Sequence, residues 1–306
     1  MAEQAQVEQQ ARCGFAALVG APNVGKSTLI NALVGAKVSI VTPKVQTTRA
    51  LVRGIAIVNG AQLIFVDTPG IFSPRRRLDR AMVDTALGST QDADLVAVVI
   101  DSRRGIGDDD ERILATLADL RAPKALVLNK IDLVDKPALL GLARKLNESA
   151  NFAVTFMISA VSGDGVADLK RWLAEHVPPG PWLYPEDQIS DAPLRQLAAE
   201  ITREKLYLRL HQELPYQSTV ETEVWKELKD GSVRIEQTVY VARESQRKIV
   251  LGKSGQTIKA IGAAARAEIA AAIEQPVHLF LHVKVRDGWM DDPERYRAIG
   301  LEFPKE

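Results

Sequence analysis

A glycine-rich run near the start of the chain ends in a lysine and a serine. From Gly20 to Ser27 it follows the spacing G-x-x-x-x-G-K-[ST] of a phosphate-binding loop. Glycines let backbone N–H groups turn around anionic oxygens, because no Cβ blocks the close approach. Lys26 is then placed to reach the β- and γ-phosphates of a nucleoside triphosphate, and the Ser27 hydroxyl to bind Mg²⁺. The run therefore predicts a triphosphate site.

A second run, Asn129-Lys130-Ile131-Asp132, lies much later in the chain and indicates which base is bound. The carboxylate of Asp132 can accept hydrogen bonds from N1–H and the 2-amino group of guanine, whereas adenine has neither donor. A base that leaves a buried polar group unpaired can be rejected by several orders of magnitude. We expect Asn129 to tie the loop together and to contact the base edge, and Lys130 to cover a ring face. The nucleotide predicted is GTP.

Two shorter segments are expected to complete the phosphate end of the site. In Asp67-Thr68-Pro69-Gly70 the carboxylate can hold Mg²⁺ through a water, and the Gly70 amide can meet the γ-phosphate. A threonine hydroxyl from Thr47-Thr48-Arg49 can join the Mg²⁺ shell only when the γ-phosphate is present. Thr48 is the predicted ligand, and Thr47 is the alternative.

The candidate nucleotide site draws on all of these segments and on the backbone at Ser159-Ala160. Its predicted nucleotide-binding residues are Gly20, Ala21, Pro22, Asn23, Val24, Gly25, Lys26, Ser27, Thr28, Asp67, Thr68, Pro69, Gly70, Asn129, Lys130, Asp132, Ser159 and Ala160. The predicted metal ligands are Ser27, Thr48 and Asp67. The residues predicted to act in hydrolysis are Lys26, Thr48, Asp67 and Gly70.

Short apolar segments typical of buried strands come directly before these runs. They cover residues 15–19, 62–66, 94–100, 124–128 and 154–158, and helical patterns separate most of them. Strands with apolar residues at successive positions are typical of a parallel sheet that is covered on both faces. Ligands of such sheets bind beyond the carboxyl ends of the strands, which is where the runs lie. The pattern predicts an α/β phosphate-loop GTPase domain over residues 14–177, with a mostly parallel sheet.

Four prolines between residues 178 and 185 mark the end of this domain. A proline-rich segment cannot continue a helix and is stiff, so residues 178–193 are predicted to be a linker. The polar, glutamine-rich start predicts a disordered tail over residues 1–13. Residues 194–306 are left for a second domain.

The second domain shows the element order α-β-β-α-α-β, with Gly252-Lys253-Ser254-Gly255 between two adjacent helices. Two glycines allow a nucleic-acid backbone to approach closely, and a helix N-terminus offers donors to phosphate. Residues 243–267 carry six basic side chains and one acid, although the whole chain has a formal net charge of zero. The predicted RNA-binding residues are Lys248, Ile249, Val250, Gly252, Lys253, Ser254, Gly255, Ile258 and Lys259, with Val239 and Tyr240 as further candidates for the groove floor.

The second domain resembles a bacterial-type KH domain, an α+β RNA-binding module. The runs GAPNVGKS, TTR, DTPG, NKxD and SA occur in the order seen in the translation-factor-like class of GTPases, and they most resemble the Era family. The resemblance spans nearly the whole chain. It implies slow Mg²⁺-dependent hydrolysis of GTP, binding near the 3′ end of small-subunit ribosomal RNA, and a role in assembly of the small ribosomal subunit.

One position departs from the best-known small GTPases. Ile71 follows Asp67-Thr68-Pro69-Gly70, where a glutamine would orient the attacking water. Era-like proteins share this hydrophobic residue, so the residue that positions the water stays unassigned. In some related GTPases a residue placed like Asn23 contributes to a monovalent cation site, which suggests stimulation by K⁺.

Composition narrows the remaining alternatives. No apolar run approaches the roughly 20 residues needed to span a bilayer, and the single cysteine, Cys13, rules out an internal disulfide. A cytoplasmic monomer is expected, with peripheral contact at the inner face of the cell membrane as an option.

A GTP-switched RNA-binding factor is the main hypothesis, in which the Thr48 segment and the segment after Gly70 move the KH domain through the linker. A constitutive RNA-binding module and a tRNA-modification or membrane-transport GTPase are the alternatives.

Overall fold

Six strands form one sheet in the N-terminal part of the computed structural model, which describes residues 11–44, 47–49, 51–72, 74, 77–288, 293–298, 301 and 303. The strand order is β2-β3-β1-β4-β5-β6, and every neighbouring pair is parallel except β2 and β3. The strands are β1 (Arg12–Val19), β2 (Val52–Val58), β3 (Ala61–Asp67), β4 (Leu95–Asp101), β5 (Lys124–Asn129) and β6 (Val154–Met157). The predicted mostly parallel α/β sheet is confirmed.

Helices bury both faces of this sheet. They are α1 (Lys26–Val34), α2 (Arg77–Gln91), α3 (Asp108–Thr116), α4 (Lys136–Ser149) and α5 (Val166–His176). Successive strand residues point to opposite faces, and each residue of β4 from Leu95 to Ile100 is at most 1% exposed. The apolar run that predicted a covered strand is therefore explained by helices on both sides.

The strand β2 was not predicted. Its sequence, V-R-G-I-A-I-V, is interrupted by an arginine and a glycine, and it lies at the edge of the sheet, antiparallel to β3. Gly54 is needed there because a Cβ would lie 2.7 Å from Cγ2 of Val34 on α1. The close packing of α1 on this edge thus depends on a residue that weakens the strand pattern.

Residues 11–13, at the end of the predicted tail, and the predicted linker both contact the first domain. Residues 1–10 lie outside the described residues, and β1 begins at Arg12, inside the range predicted for the tail, because it pairs with β3 from that residue. Along the linker, Trp182 Nε1 donates to Gly60 O at 3.2 Å, and Ile55 N donates to Ile189 O at 2.8 Å. The linker is therefore attached to the β2–β3 edge of the sheet.

A three-stranded sheet forms the second domain, with the order β7-β8-β9. Its elements are α6 (Leu194–Arg209), β7 (Ser218–Glu227), β8 (Val233–Val241), α7 (Glu244–Leu251), α8 (Gln256–Ile273) and β9 (Val277–Val285). The strand β7 is antiparallel to β8, and β9 is parallel to it. Two clusters of buried side chains join α6, α7 and α8 to the sheet, and the predicted α-β-β-α-α-β order is confirmed.

A short helix that was not predicted, α9 (Pro293–Ala298), follows the second sheet. Tyr296 on α9 and Leu301 beyond it are buried against Leu78 and Met82 of α2. The C-terminal segment therefore returns to the first domain. No helix in the described ranges is long and apolar enough to cross a membrane.

Candidate nucleotide site and nucleic-acid interface

A cavity of about 330 Å³ lies where the phosphate loop, residues 40–43, Thr47 and Thr48 meet. Pro22, Asn23, Gly25, Lys26, Ser27, Thr28, Thr68, Gly70 and Lys130 also form its wall. The loop has left-handed backbone at Asn23, with φ of 64°, and at Gly25, with φ of 101°. At Gly20 a Cβ would lie 2.4 Å from Val99 O, so the loop can pass the end of β4 only with glycine there.

Lys26 is a buried cation held against the loop. Its Nζ donates to Gly20 O at 2.9 Å and to Ala21 O at 3.1 Å. Burial lowers the pKa of this ammonium group to about 8, although the nearby Asp67 carboxylate opposes the shift. The two carbonyl groups keep the ammonium at the base of the cavity, where a phosphate oxygen is a stronger partner.

The carboxylate of Asp67 is fully buried at the other side of the loop. Its Oδ2 accepts hydrogen bonds from Ser27 Oγ at 2.8 Å, Ser39 Oγ at 2.6 Å and Thr48 Oγ1 at 3.1 Å. Burial raises the pKa of Asp67, and the three hydroxyl groups and Lys26 oppose that shift by favouring the charged form.

These side chains fit a bound Mg²⁺. Ser27 Oγ and Thr48 Oγ1 lie 2.9 Å apart. Neighbouring corners of an octahedron with Mg–O bonds of 2.0–2.1 Å are also about 2.9 Å apart. The second carboxylate oxygen of Asp67, Oδ1, is buried and has no hydrogen-bond partner among the residues that the structure describes. A water carried by the metal would supply one, as the predicted water-mediated role requires.

The two adjacent threonines have different surroundings. The Thr47 hydroxyl contacts Thr42 Oγ1 at 2.7 Å and donates to Lys44 O at 2.8 Å, so it holds its own loop together. Thr48, by contrast, faces Ser27 and Asp67. Of the predicted metal ligand and its alternative, the geometry favours Thr48.

The segment after Asp67 passes close to the phosphate loop. Thr68 Oγ1 donates to Leu18 O at 2.8 Å, and Ile71 N donates to Gly20 O at 3.2 Å. A Cβ on Gly70 would lie 3.0 Å from the backbone of Pro22. Pro69 lies between Thr68, which contacts β1, and Gly70, which contacts the phosphate loop and forms part of the cavity wall.

Asn129 joins the phosphate loop to the loop of residues 129–132, which is predicted to bind the base and is called the base loop below. Its Nδ2 donates to Val24 O at 2.8 Å, while its Oδ1 accepts Lys130 N at 2.8 Å and Ala160 N at 3.0 Å. Three loops that are far apart in sequence thus meet on one buried amide. The predicted role of Asn129 in tying the loop together matches these contacts.

The remaining base-loop residues lie beside this amide. Lys130 has left-handed backbone, and its Nζ donates to Asn23 O at 2.7 Å and contacts Asp101 Oδ2 at 2.6 Å. Asp132 lies in the short turn Ile131–Leu133 with its side chain exposed, as a base-reading carboxylate requires. Ser159 Oγ accepts Ser162 N at 3.3 Å within its own turn, and the residues on either side of Ser159 contact the base loop, because Ile131 N donates to Ile158 O and Ala160 N donates to Asn129.

Several contributors to the site were not predicted from sequence: residues 40–43 in the cavity wall, and Ser39 and Asp101 beside it. Ser39 lies in a segment with no motif of its own, and its contact with Asp67 joins residues 28 positions apart. Asp101 ends β4, and carboxyl ends of strands are where side chains of such sites gather. The position of Asp101 at the end of a predicted strand could therefore have identified it as a site residue. No feature of the sequence could have identified Ser39.

Residues 37–49 also contact the second domain directly. Arg49 is buried, and its guanidinium group donates to Tyr207 Oη at 2.7 Å, Ser218 O at 2.9 Å and Tyr216 O at 2.9 Å. The ammonium group of Lys44 donates to two carbonyl groups near the end of α6, and Arg203 of α6 donates to Thr47 O. The segment that carries Thr48 thus packs against α6.

An ion-pair network continues this interface. Glu204, only 4% exposed, pairs with Lys37 and Lys205 and accepts Val41 N at 2.8 Å. Glu268 of α8 pairs with the same two lysines. The two domains are therefore joined by direct contacts as well as by the linker, through which the sequence predicts coupling.

The loop Gly252–Gly255 has backbone geometry that suits the predicted close approach of a nucleic-acid backbone. Gly252 has φ of 72° and ψ of 176°, a conformation that only glycine adopts readily, and a Cβ there would lie 2.1 Å from Thr257 Oγ1. Lys253 and Ser254 between the glycines are exposed, and Lys248 and Lys259 flank the loop with exposed side chains.

The predicted apolar floor of the RNA groove needs correction. Ile249 is 58% exposed and Ile258 is partly buried, so both can offer apolar surface. Val250 and Val239 are fully buried in the domain core. Tyr240 points to the opposite face of the sheet from Val239, because neighbouring strand residues alternate, and its hydroxyl donates to Glu223 at 3.1 Å. These three side chains therefore cannot line the floor.

Comparisons with known proteins agree with both domains. Residues 15–130 match the family described as 50S ribosome-binding GTPase, and residues 213–290 match the KH domain. GTPase Era of Afipia carboxidovorans is 67% identical over 302 residues, which cover 98% of this chain and 98% of that protein. The chain belongs to the GTPase Era family. GTPase Era of Bradyrhizobium diazoefficiens is 68% identical over 295 residues, covering 96% of each.

Two solved Era structures share the whole architecture. One is Era in complex with MgGDPNP and nucleotides 1506–1542 of 16S ribosomal RNA, with a TM-score of 0.90 and 38% identity over 95% of this chain and 99% of that one. The other is an Aquifex aeolicus Era variant bound to GDP and AlF4⁻, with a TM-score of 0.89 and 39% identity over 94% of this chain and 99% of that one. The arrangement of the two domains is therefore an Era arrangement.

Replacing the exposed carboxylate of the base loop tests guanine recognition. We expect Asp132→Asn to weaken GDP affinity by at least about 100-fold, because the amide cannot accept both guanine hydrogen bonds. The same variant should gain affinity for xanthosine diphosphate. Competition against a fluorescent GDP measures both. Asp135→Asn, a matched change just before α4, should bind GDP as the unmodified chain does, and an unchanged GDP affinity in Asp132→Asn would contradict the assignment.

Proposed function

We propose that this chain is a GTP-hydrolysing switch that binds small-subunit ribosomal RNA near its 3′ end and assists assembly of the small ribosomal subunit. The observation that carries the proposal is the segment 37–49. It supplies Thr48 to the nucleotide site and packs Lys44 and Arg49 against the second domain. One segment thus contacts both the nucleotide site and the KH domain.

Hydrolysis in this proposal depends on positioning and charge neutralisation. Lys26, released from two carbonyl groups, neutralises the β- and γ-phosphate oxygens, and the Gly70 amide donates to the γ-phosphate. Bound Mg²⁺, held by Ser27, Thr48 and through a water by Asp67, would supply further neutralisation of phosphate charge. Ile71 is buried and cannot orient the water, which fits a slow intrinsic rate.

The proposal of small-subunit rather than large-subunit ribosomal RNA follows from the solved Era structure that contains 16S ribosomal RNA. The family description for residues 15–130 mentions the 50S ribosome, but it concerns the GTPase domain alone. The Era structure with 16S ribosomal RNA covers 95% of this chain, a share too large for the GTPase domain alone. The KH domain reads RNA in the proposal, so the small-subunit RNA is the better-supported ligand.

RNA binding and its dependence on the nucleotide are tested together. A 16S ribosomal RNA 3′-end oligonucleotide should bind more tightly with a GTP analogue and Mg²⁺ than with GDP. Lys253→Asp, which keeps both loop glycines, should lose at least about tenfold in affinity by placing negative charge against phosphate. Lys226→Asp, on the opposite sheet face, is the charge-matched control. Equal binding in both nucleotide states would favour a constitutive RNA-binding module.

Coupling between the domains is tested at Tyr207. Tyr207→Phe removes the hydroxyl that accepts a hydrogen bond from Arg49 at 2.7 Å, while leaving the nucleotide cavity unchanged. We expect the difference in RNA affinity between the GTP-analogue and GDP states to shrink by about tenfold or more, since a charged hydrogen bond contributes about 1.5–3 kcal/mol and 1.4 kcal/mol corresponds to about a factor of ten. Basal hydrolysis should stay within twofold of the unmodified chain.

Tyr216→Phe is the matched control, because Arg49 contacts only the backbone carbonyl of that residue. If Tyr207→Phe left the affinity difference intact, or if Tyr216→Phe reduced it equally, direct coupling through Arg49 would be wrong. The remaining routes would then be the linker and the contacts of Lys44, Thr47 and Val41 with α6.

The proposal also includes K⁺ stimulation, a monomeric cytoplasmic protein and peripheral contact with the inner face of the cell membrane. Asn23 supports the first point, because its side chain already bridges the phosphate loop to Pro43 O at 3.0 Å. A cation bound by Asn23 Oδ1 and Pro43 O, in place of this hydrogen bond from Asn23 Nδ2, would join the two segments. Hydrolysis should be several-fold faster in K⁺ than in Na⁺ at matched ionic strength, and equal rates in single-turnover assays would overturn this part.

A further inference from the structure

Three hydroxyl groups donate to one carboxylate oxygen of Asp67, and the proposed metal site uses two of them. Ser27 and Thr48 form part of the cavity wall, where a metal would take up their oxygens. Within the described residues, Ser39 is not part of that wall, although its contact with Oδ2, at 2.6 Å, is the shortest of the three. Among the described residues Asp67 is not part of the wall either, so the contact between Ser39 Oγ and Asp67 Oδ2 lies outside it.

The position of Ser39 is fixed by the helix that follows the phosphate loop. Asn31 of α1 accepts Val38 N and Ser39 N on its Oδ1, both at 2.9 Å, and its Nδ2 donates to Ser39 O at 2.8 Å. The residue is 3% exposed. One side chain thus clamps both sides of the Ser39 peptide, and the same helix begins with Lys26 and Ser27.

We propose that Ser39 is a positioning residue for Mg²⁺ binding, acting through Asp67. Its hydroxyl holds Oδ2, which leaves Oδ1, without a partner among the described residues, to accept a hydrogen bond from a water that a bound metal would carry. When Ser27 and Thr48 turn their oxygens to the metal, Ser39 continues to donate to Oδ2. Residues that orient a metal-binding group in this way commonly change metal affinity about 10- to 100-fold when they are removed.

The inference rests on the proposed use of Mg²⁺ with guanine nucleotides, and Ser39→Ala tests it without an activity assay. Dissociation of a fluorescent GDP is followed at a series of free Mg²⁺ concentrations and in EDTA. We expect the Mg²⁺ concentration for half-maximal slowing of release to rise about tenfold in Ser39→Ala. The release rate in EDTA should match that of the unmodified chain, because no metal is then present to be positioned.

Two further variants separate positioning from a general loss of structure. Ser149→Ala removes a hydroxyl that donates to Leu146 O within α4, and it should leave the Mg²⁺ curve unchanged. Asn31→Asp keeps the acceptor and removes the donor to Ser39 O. We expect it to shift the curve in the same direction, and Asn31→Asp combined with Ser39→Ala to be no worse than Ser39→Ala alone.

The outcomes distinguish failure of the proposed Mg²⁺-dependent function from failure of the positioning role of Ser39. If the unmodified chain released GDP equally fast with Mg²⁺ and with EDTA, the proposed Mg²⁺-dependent function would fail. If the unmodified chain responded to Mg²⁺ and Ser39→Ala followed the same curve, only the role of Ser39 would fail. Equal acceleration with and without Mg²⁺, together with a lower Tm, would make Ser39 a purely structural residue and overturn the inference.

Discussion

The buried carboxylate of Asp67 is the constraint on which the position of residues 37–49 depends. A charged group without water is costly unless donors surround it. Here the donors come from three places: Ser27 at the start of α1, and Ser39 and Thr48 near the two ends of the segment. Satisfying one carboxylate oxygen therefore fixes the segment at two points. A nucleotide with its metal competes for Ser27 and Thr48 but leaves Ser39 in place.

The other side of the same segment determines how the KH domain is held. Arg49 is buried against Tyr207 and the backbone near Ser218, and Glu204 accepts the amide of Val41. Hydrogen bonds to a charged group contribute about 1.5–3 kcal/mol each, which is the scale of conformational equilibria that ligands shift. The linker is hydrogen-bonded to the edge of the first sheet, whereas the segment that carries Thr48 contacts the second domain directly.

Sequence reasoning succeeded where local chemistry dictates residue type. Phosphate approach requires Gly20 and Gly25, and apolar runs mark covered strands, so the loops and most elements were predictable. It failed where a contact joins distant residues with no pattern, as between Ser39 and Asp67 or Arg49 and Tyr207. It also assigned Val250 to a surface, because an apolar residue beside a glycine loop fits a core and a groove equally well.

Guanine recognition and phosphate binding are not separable in this site, and Asn129 is the reason. Its Nδ2 donates to Val24 O, and a Cβ on Gly25 would lie 2.3 Å from that nitrogen. The second glycine of the phosphate loop is therefore required by the base loop as well as by its own left-handed φ. Because Asn129 Oδ1 also holds Ala160 N, a shift in either loop moves the other. A nucleotide that fits one half of the cavity poorly is thus expected to disturb the other half.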